Sequence, residues 1–188
     1  MITVGVDEVG RGCWAGSLVA GAVILNEPIA GLKDSKLLSK LQREKLADEI
    51  NIQAAAIGLG WVSPSEIDDL GLTEAVRLAM QRALAEIKVP YDEIIIDGNY
   101  NFFPNKPRAR ALIRADNLVP AVSAASIIAK VARDRYMYEQ AKKFPHYQFE
   151  KHVGYGTKLH SEMLKIHGVC TLHRLSYKPI KLIMELPA

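Results

Sequence analysis

The stretch Glu93-Ile94-Ile95-Ile96-Asp97-Gly98 is apolar without alternation and stops on an acid and a glycine. A strand with no polar face is covered on both faces, so it belongs in the middle of a layered α/β fold. The chain supplies a layer to cover it. Ala121–Phe144 reads as a long helix whose first half is almost all small or aliphatic, a surface suited to packing against a sheet. Four further runs read as strands: Ile2–Val6, Leu18–Leu25, Ala54–Val62 and Ala109–Ile113. Ser39-Lys40-Leu41-Gln42 is a capping box that opens a helix to about Ile50, and Ser63-Pro64-Ser65-Glu66 is another with proline at the first helical position. A longer helix follows over about Thr73–Ile87, with Val76, Met80, Ala83, Leu84 and Ile87 on one face. After Pro145 a polar loop runs to Thr157, and Lys158–His167 is a helix stopped by Gly168.

Composition sets outer limits. At 188 residues, with 49% hydrophobic and 24% charged, the chain suits one globular domain over 1–188, with a helical C-terminal part over roughly 145–188. A formal net charge of +3 permits a polyanionic partner without requiring one. Cys13 and Cys170 form no C-x-x-C pair, which excludes a disulfide framework and a cysteine-rich zinc site and fits a reducing cytosol. No signal-like or membrane-length apolar window occurs, so the expectation is a soluble, cytoplasmic protein with no membrane partner; monomer is the default oligomeric state.

Chemistry concentrates where strands end. Ile2-Thr3-Val4-Gly5-Val6-Asp7-Glu8-Val9-Gly10-Arg11-Gly12 ends a β-branched run in two adjacent carboxylates, then breaks into a glycine-rich turn. Ionising both acids is costly unless a cation or good solvation accompanies them. Asp97 and Asp116 also follow apolar strands. Strand ends are where ligands bind in open α/β sheets, and three or four oxygen donors suit Mg²⁺ or Mn²⁺. The competing reading is that some of these acids only cap turns.

The residues resemble ribonuclease HII, the type 2 ribonuclease H family. The match is carried, in order, by Asp7-Glu8-Val9-Gly10-Arg11-Gly12, Leu32-Lys33-Asp34-Ser35-Lys36, Ile96-Asp97-Gly98 and Ala115-Asp116. It continues through Val122–Val131 with Arg133-Asp134, Gly154-Tyr155-Gly156-Thr157, and His173-Arg174 with Ser176. The resemblance implies a ribonuclease-H-like fold, a five-stranded mixed sheet flanked by helices with a small helical C-terminal portion. It implies metal-dependent cleavage of the RNA strand in RNA–DNA hybrids, and of duplex DNA on the 5′ side of embedded ribonucleotides, leaving 3′-hydroxyl and 5′-phosphate ends. By the same resemblance the catalytic, metal-holding acids are Asp7, Glu8, Asp97 and Asp116, with Mn²⁺ or Mg²⁺ as cofactor. Ribonucleotide removal during DNA repair and replication is the implied setting; a replication-protein partner is left unidentified.

Gly10-Arg11-Gly12 can bring bare backbone against a sugar edge, where the 2′-hydroxyl distinguishes RNA from DNA, or it only makes a tight turn. In the family this segment reads the ribonucleotide. Tyr155 between glycines can stack on a base or sugar, or cover the core edge; in the family it checks the RNA-to-DNA junction. Lys33, Ser35, Lys36 and Ser123, with Ser126, are candidates to hold phosphates, against the bland reading of a charged face. Lys151, His152 and Lys158 surround Tyr155 as an interleaved basic and aromatic set. Asp134, beside Arg133 in a helix, reads as a member of a helix-surface ion pair. His160, His167 and His173 lack zinc-site spacing and read as packed or hydrogen-bonded.

Three departures from the family pattern stand out: Cys13-Trp14 in place of Pro-Leu, Ser17 in place of a proline, and His152-Val153 where a lysine usually precedes the glycine. The last bears on substrate grip, since a phosphate contact is lost. Rival readings are the sister ribonuclease HIII, a hybrid-binding protein without catalysis, and a nucleotide-binding protein. The last lacks the Lys-Ser/Thr ending of a phosphate loop.

Overall fold

The computed structural model describes residues 1–33, 35–106 and 108–185. The side chain of Lys36 lies outside the description, and so does Asp34 of the Leu32–Lys36 motif. In chain order the elements are β1 (Thr3–Val9), β2 (Leu18–Leu25), α1 (Lys40–Gln53), β3 (Ala54–Val62), α2 (Pro64–Leu70), α3 (Leu72–Glu86), β4 (Glu93–Asp97) and β5 (Ala109–Leu112). Then follow α4 (Ala115–Leu118), α5 (Pro120–Lys143), α6 (Phe149–His152), α7 (Lys158–His167) and α8 (Lys178–Met184). Both capping boxes form, at Ser39 with Gln42 and at Ser63 with Glu66.

The sheet has five strands in the order β3-β2-β1-β4-β5. The β3–β2–β1 side is antiparallel, whereas β1–β4–β5 is parallel, so the sheet is mixed, as expected. Strand β4 sits second from the edge with Glu93–Ile96 buried, which is why it shows no alternation. One face packs on α3 through Val4, Val6, Ile94 and Ile96 against Val76, Met80 and Ala83. The other packs on α1 and α5 through Val23 against Ile50, Ala124 and Ile127. Helix α5 approaches so closely that a Cβ on Gly5 or Gly21 would collide with its backbone at Ala121 or Ala125. The small residues read from its first half permit that approach.

The segment read as a polar loop after Pro145 is different. It contains α6, and Tyr147 and Phe149 are buried in a third core with Met137, Leu164 and Ile180. Apolar side chains too sparse to show periodicity still found a common interior. Among the described residues, no helix is long and apolar enough to cross a membrane.

Candidate active site

The parallel register Val6↔Ile96 brings the ends of β1 and β4 side by side, so Asp7 and Asp97 emerge at the same edge. Beyond β5, Arg114 takes a left-handed conformation and turns the chain into α4, which carries Asp116. Asp97 Oδ1 accepts hydrogen bonds from the backbone N–H of Ala115 at 2.8 Å and of Asp116 at 3.5 Å. The Ser123 hydroxyl donates to the Asp116 carbonyl at 2.5 Å, and Asn117 Nδ2 donates to Asp116 Oδ1 at 3.1 Å. Helix α5 thereby fixes the segment that carries the fourth acid.

A pocket of about 260 Å³ opens at this edge, lined by Asp7, Glu8, Asp97, Gly10-Arg11-Gly12, Ser35, Ser126, Lys130 and Tyr155. A larger cleft of about 480 Å³ lies near Met1, Pro28, Pro90 and Pro120. It starts from the opposite end of β1, and its only acidic lining residue is Glu27, so chemistry and not size marks the site.

Burial and the neighbouring Glu8 and Asp97 charges push the Asp7 carboxyl up to about 8, against a lowering hydrogen bond from Ser126. Glu8 is also raised, chiefly by burial, although Arg11 at 3.1 Å opposes the shift. Carboxylates that raise one another's proton affinity are suited to a hard divalent cation, which offsets the same repulsion. All donors here are oxygens, as Mg²⁺ or Mn²⁺ prefers. Among the described residues, no three His, Cys, Asp or Glu side chains stand ready-made as a coordination shell. Asp116 adjoins the group beside Asp97 and does not line the pocket.

Two of the glycines in the Gly10–Gly12 turn differ in kind. Gly10 has φ +94°, and a Cβ there would strike the Arg133 side chain, so it is required by the fold. At Gly12 a Cβ would meet nothing within 4 Å. The space where a side chain would stand is open.

Two buried arginines hold these loops. Arg133 donates to the carbonyls of Ser17, Ala15 and Val153, and Arg174 to those of Gly16 and Arg11 and to the Tyr177 hydroxyl. Cys13 bridges to Tyr155 across the same junction, and Gly156 lies against the Trp14 ring, so the departures at Cys13-Trp14 sit where the two loops meet. The Tyr155 ring is 37% exposed, with Lys130 Nζ 5.5 Å from its centroid.

Other sequence expectations fare differently. Ser35 is buried, with its hydroxyl 3.0 Å from that of Ser126. Lys33 is exposed and does not line the pocket; Lys36 falls outside the described side chains. Ser123 is spent on Asp116. His152 is buried, its ring bonded to backbone, and does not join a basic surface around Tyr155. Asp134 does form a helical ion pair, with Lys130 four residues back at 2.8 Å, but it is buried and not on the surface. Lys130 is the pocket residue that the sequence reading passed over. Its signal was the spacing Ser123, Ser126, Lys130, which lines one face of α5.

Known proteins share this sequence pattern and fold. The family model described as Ribonuclease HII matches residues 4–180. The Ribonuclease HII of Shewanella loihica is 48% identical over 185 residues, covering 96% of this chain and 89% of that one. The crystal structure of ribonuclease H2 from Pyrococcus horikoshii superposes with a TM-score of 0.83 at 28% identity, covering 98% of each chain. The structure of Bst-RNase HIII in complex with Mn²⁺ gives a TM-score of 0.71 at 19% identity, over 98% of this chain and 69% of that one, and shares the fold.

Proposed function

The chain belongs to the ribonuclease HII family, and from that premise we propose a metal-dependent endoribonuclease acting on RNA–DNA hybrids and on ribonucleotides embedded in duplex DNA. The cut falls on the 5′ side of the ribonucleotide and leaves 3′-hydroxyl and 5′-phosphate ends, a reaction that serves ribonucleotide removal from DNA. The observation that carries this reading is one pocket joining three carboxylates to a bare glycine backbone and a half-exposed tyrosine.

Asp7, Glu8 and Asp97, with Asp116 beside them, would hold Mg²⁺ or Mn²⁺. When bound, such ions supply Lewis acidity to the attacking water and to the departing 3′ oxygen. The chain's own residues position the substrate. The Gly12 backbone is free to meet a ribose edge at hydrogen-bonding distance, where only RNA offers a 2′-hydroxyl. The Tyr155 ring stacks on the following deoxyribose, and Arg11 and Lys130 at the pocket rim meet phosphates. Ser35 is at hand in the pocket for a phosphate oxygen, Lys33 and Lys36 act along the flanking backbone, and Ser123 serves indirectly by fixing Asp116. The reading takes 1–188 as one catalytic domain.

The test is a cleavage assay on a labelled DNA duplex with a single ribonucleotide, beside a long RNA–DNA hybrid, with Mg²⁺, Mn²⁺ or EDTA and with Asp7→Asn as control. Metal-dependent cleavage 5′ to the ribonucleotide, lost in Asp7→Asn, is the expected result. Cleavage of the hybrid alone would indicate ribonuclease HIII-like specificity, and binding without cleavage would leave a hybrid-recognition module.

A further inference from the structure

Behind Tyr155 lies a buried group of three histidines. His152 and His160 stack with ring centroids 4.3 Å apart, and His160 Nε2 is 3.1 Å from His173 Nε2. Their exposures are 6%, 0% and 2%. The surrounding groups decide which nitrogen carries each proton. His160 Nδ1 lies 2.9 Å from the Tyr155 carbonyl, which can only accept, so Nδ1 is the N–H. Nε2 of neutral His160 is then an acceptor, and His173 Nε2 must donate to it. That leaves His173 Nδ1 as an acceptor, and the Cys170 backbone N–H donates to it at 2.9 Å. His152 is defined in the same way: Gly154 N–H donates to Nδ1 at 3.2 Å, and Nε2 faces the Tyr147 carbonyl at 2.9 Å.

Every ring nitrogen thus has one role, and the direction runs without conflict from Cys170 through His173 and His160 to Tyr155. The alternative direction, with His173 Nδ1 donating to the Cys170 carbonyl at 3.3 Å, sets two lone pairs against each other between the rings unless one of the two rings is charged. Burial among Trp14, Phe149 and the other two rings opposes that charge and pushes His160 down to about 3 and His173 to about 4.

We infer that His160, oriented by His173, is a positioning residue that sets the backbone of Tyr155 and hence the angle its ring presents to the pocket, while His152 sets Gly154. The inference rests on the reading of Tyr155 as a substrate contact. This hydrogen-bond wire meets the loop at the Tyr155 carbonyl, and none of its three rings lines the pocket.

Two measurements test it. Nitrogen NMR of histidine-labelled protein at neutral pH should show His160 as the Nδ1–H tautomer and His152 and His173 as Nε2–H; an Nε2–H or doubly protonated His160 overturns the wire. For function, Asn places its amide where Nδ1 stands and Gln where Nε2 stands. His160→Asn should therefore keep KM on the single-ribonucleotide duplex near the parent value. His160→Gln, folded by circular dichroism, should raise KM about three- to tenfold with kcat little changed, the effect of one neutral hydrogen bond. Adding Tyr155→Ala to His160→Gln should then raise KM no further than Tyr155→Ala alone does. Additive effects, or a KM raised by Tyr155→Ala but not by His160→Gln, overturn the positioning role while sparing the Tyr155 reading. If Tyr155→Ala leaves KM unchanged, the Tyr155 reading fails first and the positioning role falls with it.

Discussion

Asp97 accepts the backbone N–H of Ala115 at 2.8 Å, and this bond ties the end of β4 to the start of the helix that carries Asp116. One carboxylate oxygen is therefore engaged in structure while the side chain still lines the pocket. Asp97→Asn retains an acceptor at that position. It should fold with a melting temperature near the parent's yet lose at least about a hundredfold in kcat, since direct donors matter at least as much as outer partners worth 10–100-fold. Thermal unfolding and single-turnover cleavage separate the two effects; equal loss of stability and rate would place Asp97 in the scaffold alone.

Ser123 stands behind the fourth acid. Ser123→Ala leaves the buried Asp116 carbonyl without this donor and should cost about 1–3 kcal/mol of stability. Activity should fall about tenfold through displaced Asp116, as expected when a supporting bond is removed. Denaturant titration and cleavage rates at saturating metal are the checks.

The two glycines should part company. Gly10→Ala meets both positive φ and the Arg133 side chain, and should destabilise by roughly 1–3 kcal/mol. Gly12→Ala, whose Cβ would meet nothing within 4 Å, should leave stability within about 0.5 kcal/mol and raise KM for ribonucleotide-containing duplex. Unchanged KM in Gly12→Ala would remove the 2′-hydroxyl role from that backbone.

Arg174 is fully buried and serves Gly16, Arg11 and Tyr177 at once. A lysine offers a point charge in place of a planar fork and cannot reach all three. Arg174→Lys should lose about 1.5–3 kcal/mol, the scale of a lost hydrogen bond to a charged group, and loosen the Arg11 carbonyl. Chemical denaturation gives the first value and trypsin sensitivity of the Gly10–Gly16 loop the second.

The histidine group predicts acid sensitivity. His160 and His173 are held at about 3 and about 4, well below 6.5 in the unfolded chain. Across that window the unfolded state binds more protons, so stability is full above about 6.5 and falls as pH drops toward about 3. The charged group acting on this set is Glu150 at His152, and it only partly offsets burial. A double substitution of His160 and His173 by Asn and Gln should flatten this part of the stability–pH curve.

Much of the fold was legible locally because its signals are local. Capping boxes, the unalternating β4 and the small-residue face of α5 all report backbone geometry and burial within a few residues. Asp7, Glu8 and Asp97 could be picked out for a similar reason, since they close apolar strands and one pocket gathers them, whereas Asp116 lies in α4 and does not line it. What failed were the polar loop after Pro145 and His152 among basic residues. A core assembled from scattered aromatics explains both.

By itself, then, the amino-acid sequence determined the five strands, the longer helices and the carboxylates that close β1 and β4, because periodicity and caps act over one or two turns. Only the tertiary structure decided that Lys130 would face Tyr155, that Arg174 would hold a carbonyl 158 positions away, and that three histidines would fix one another's protons. Those contacts depend on how layers pack, and packing joins residues that no local pattern relates.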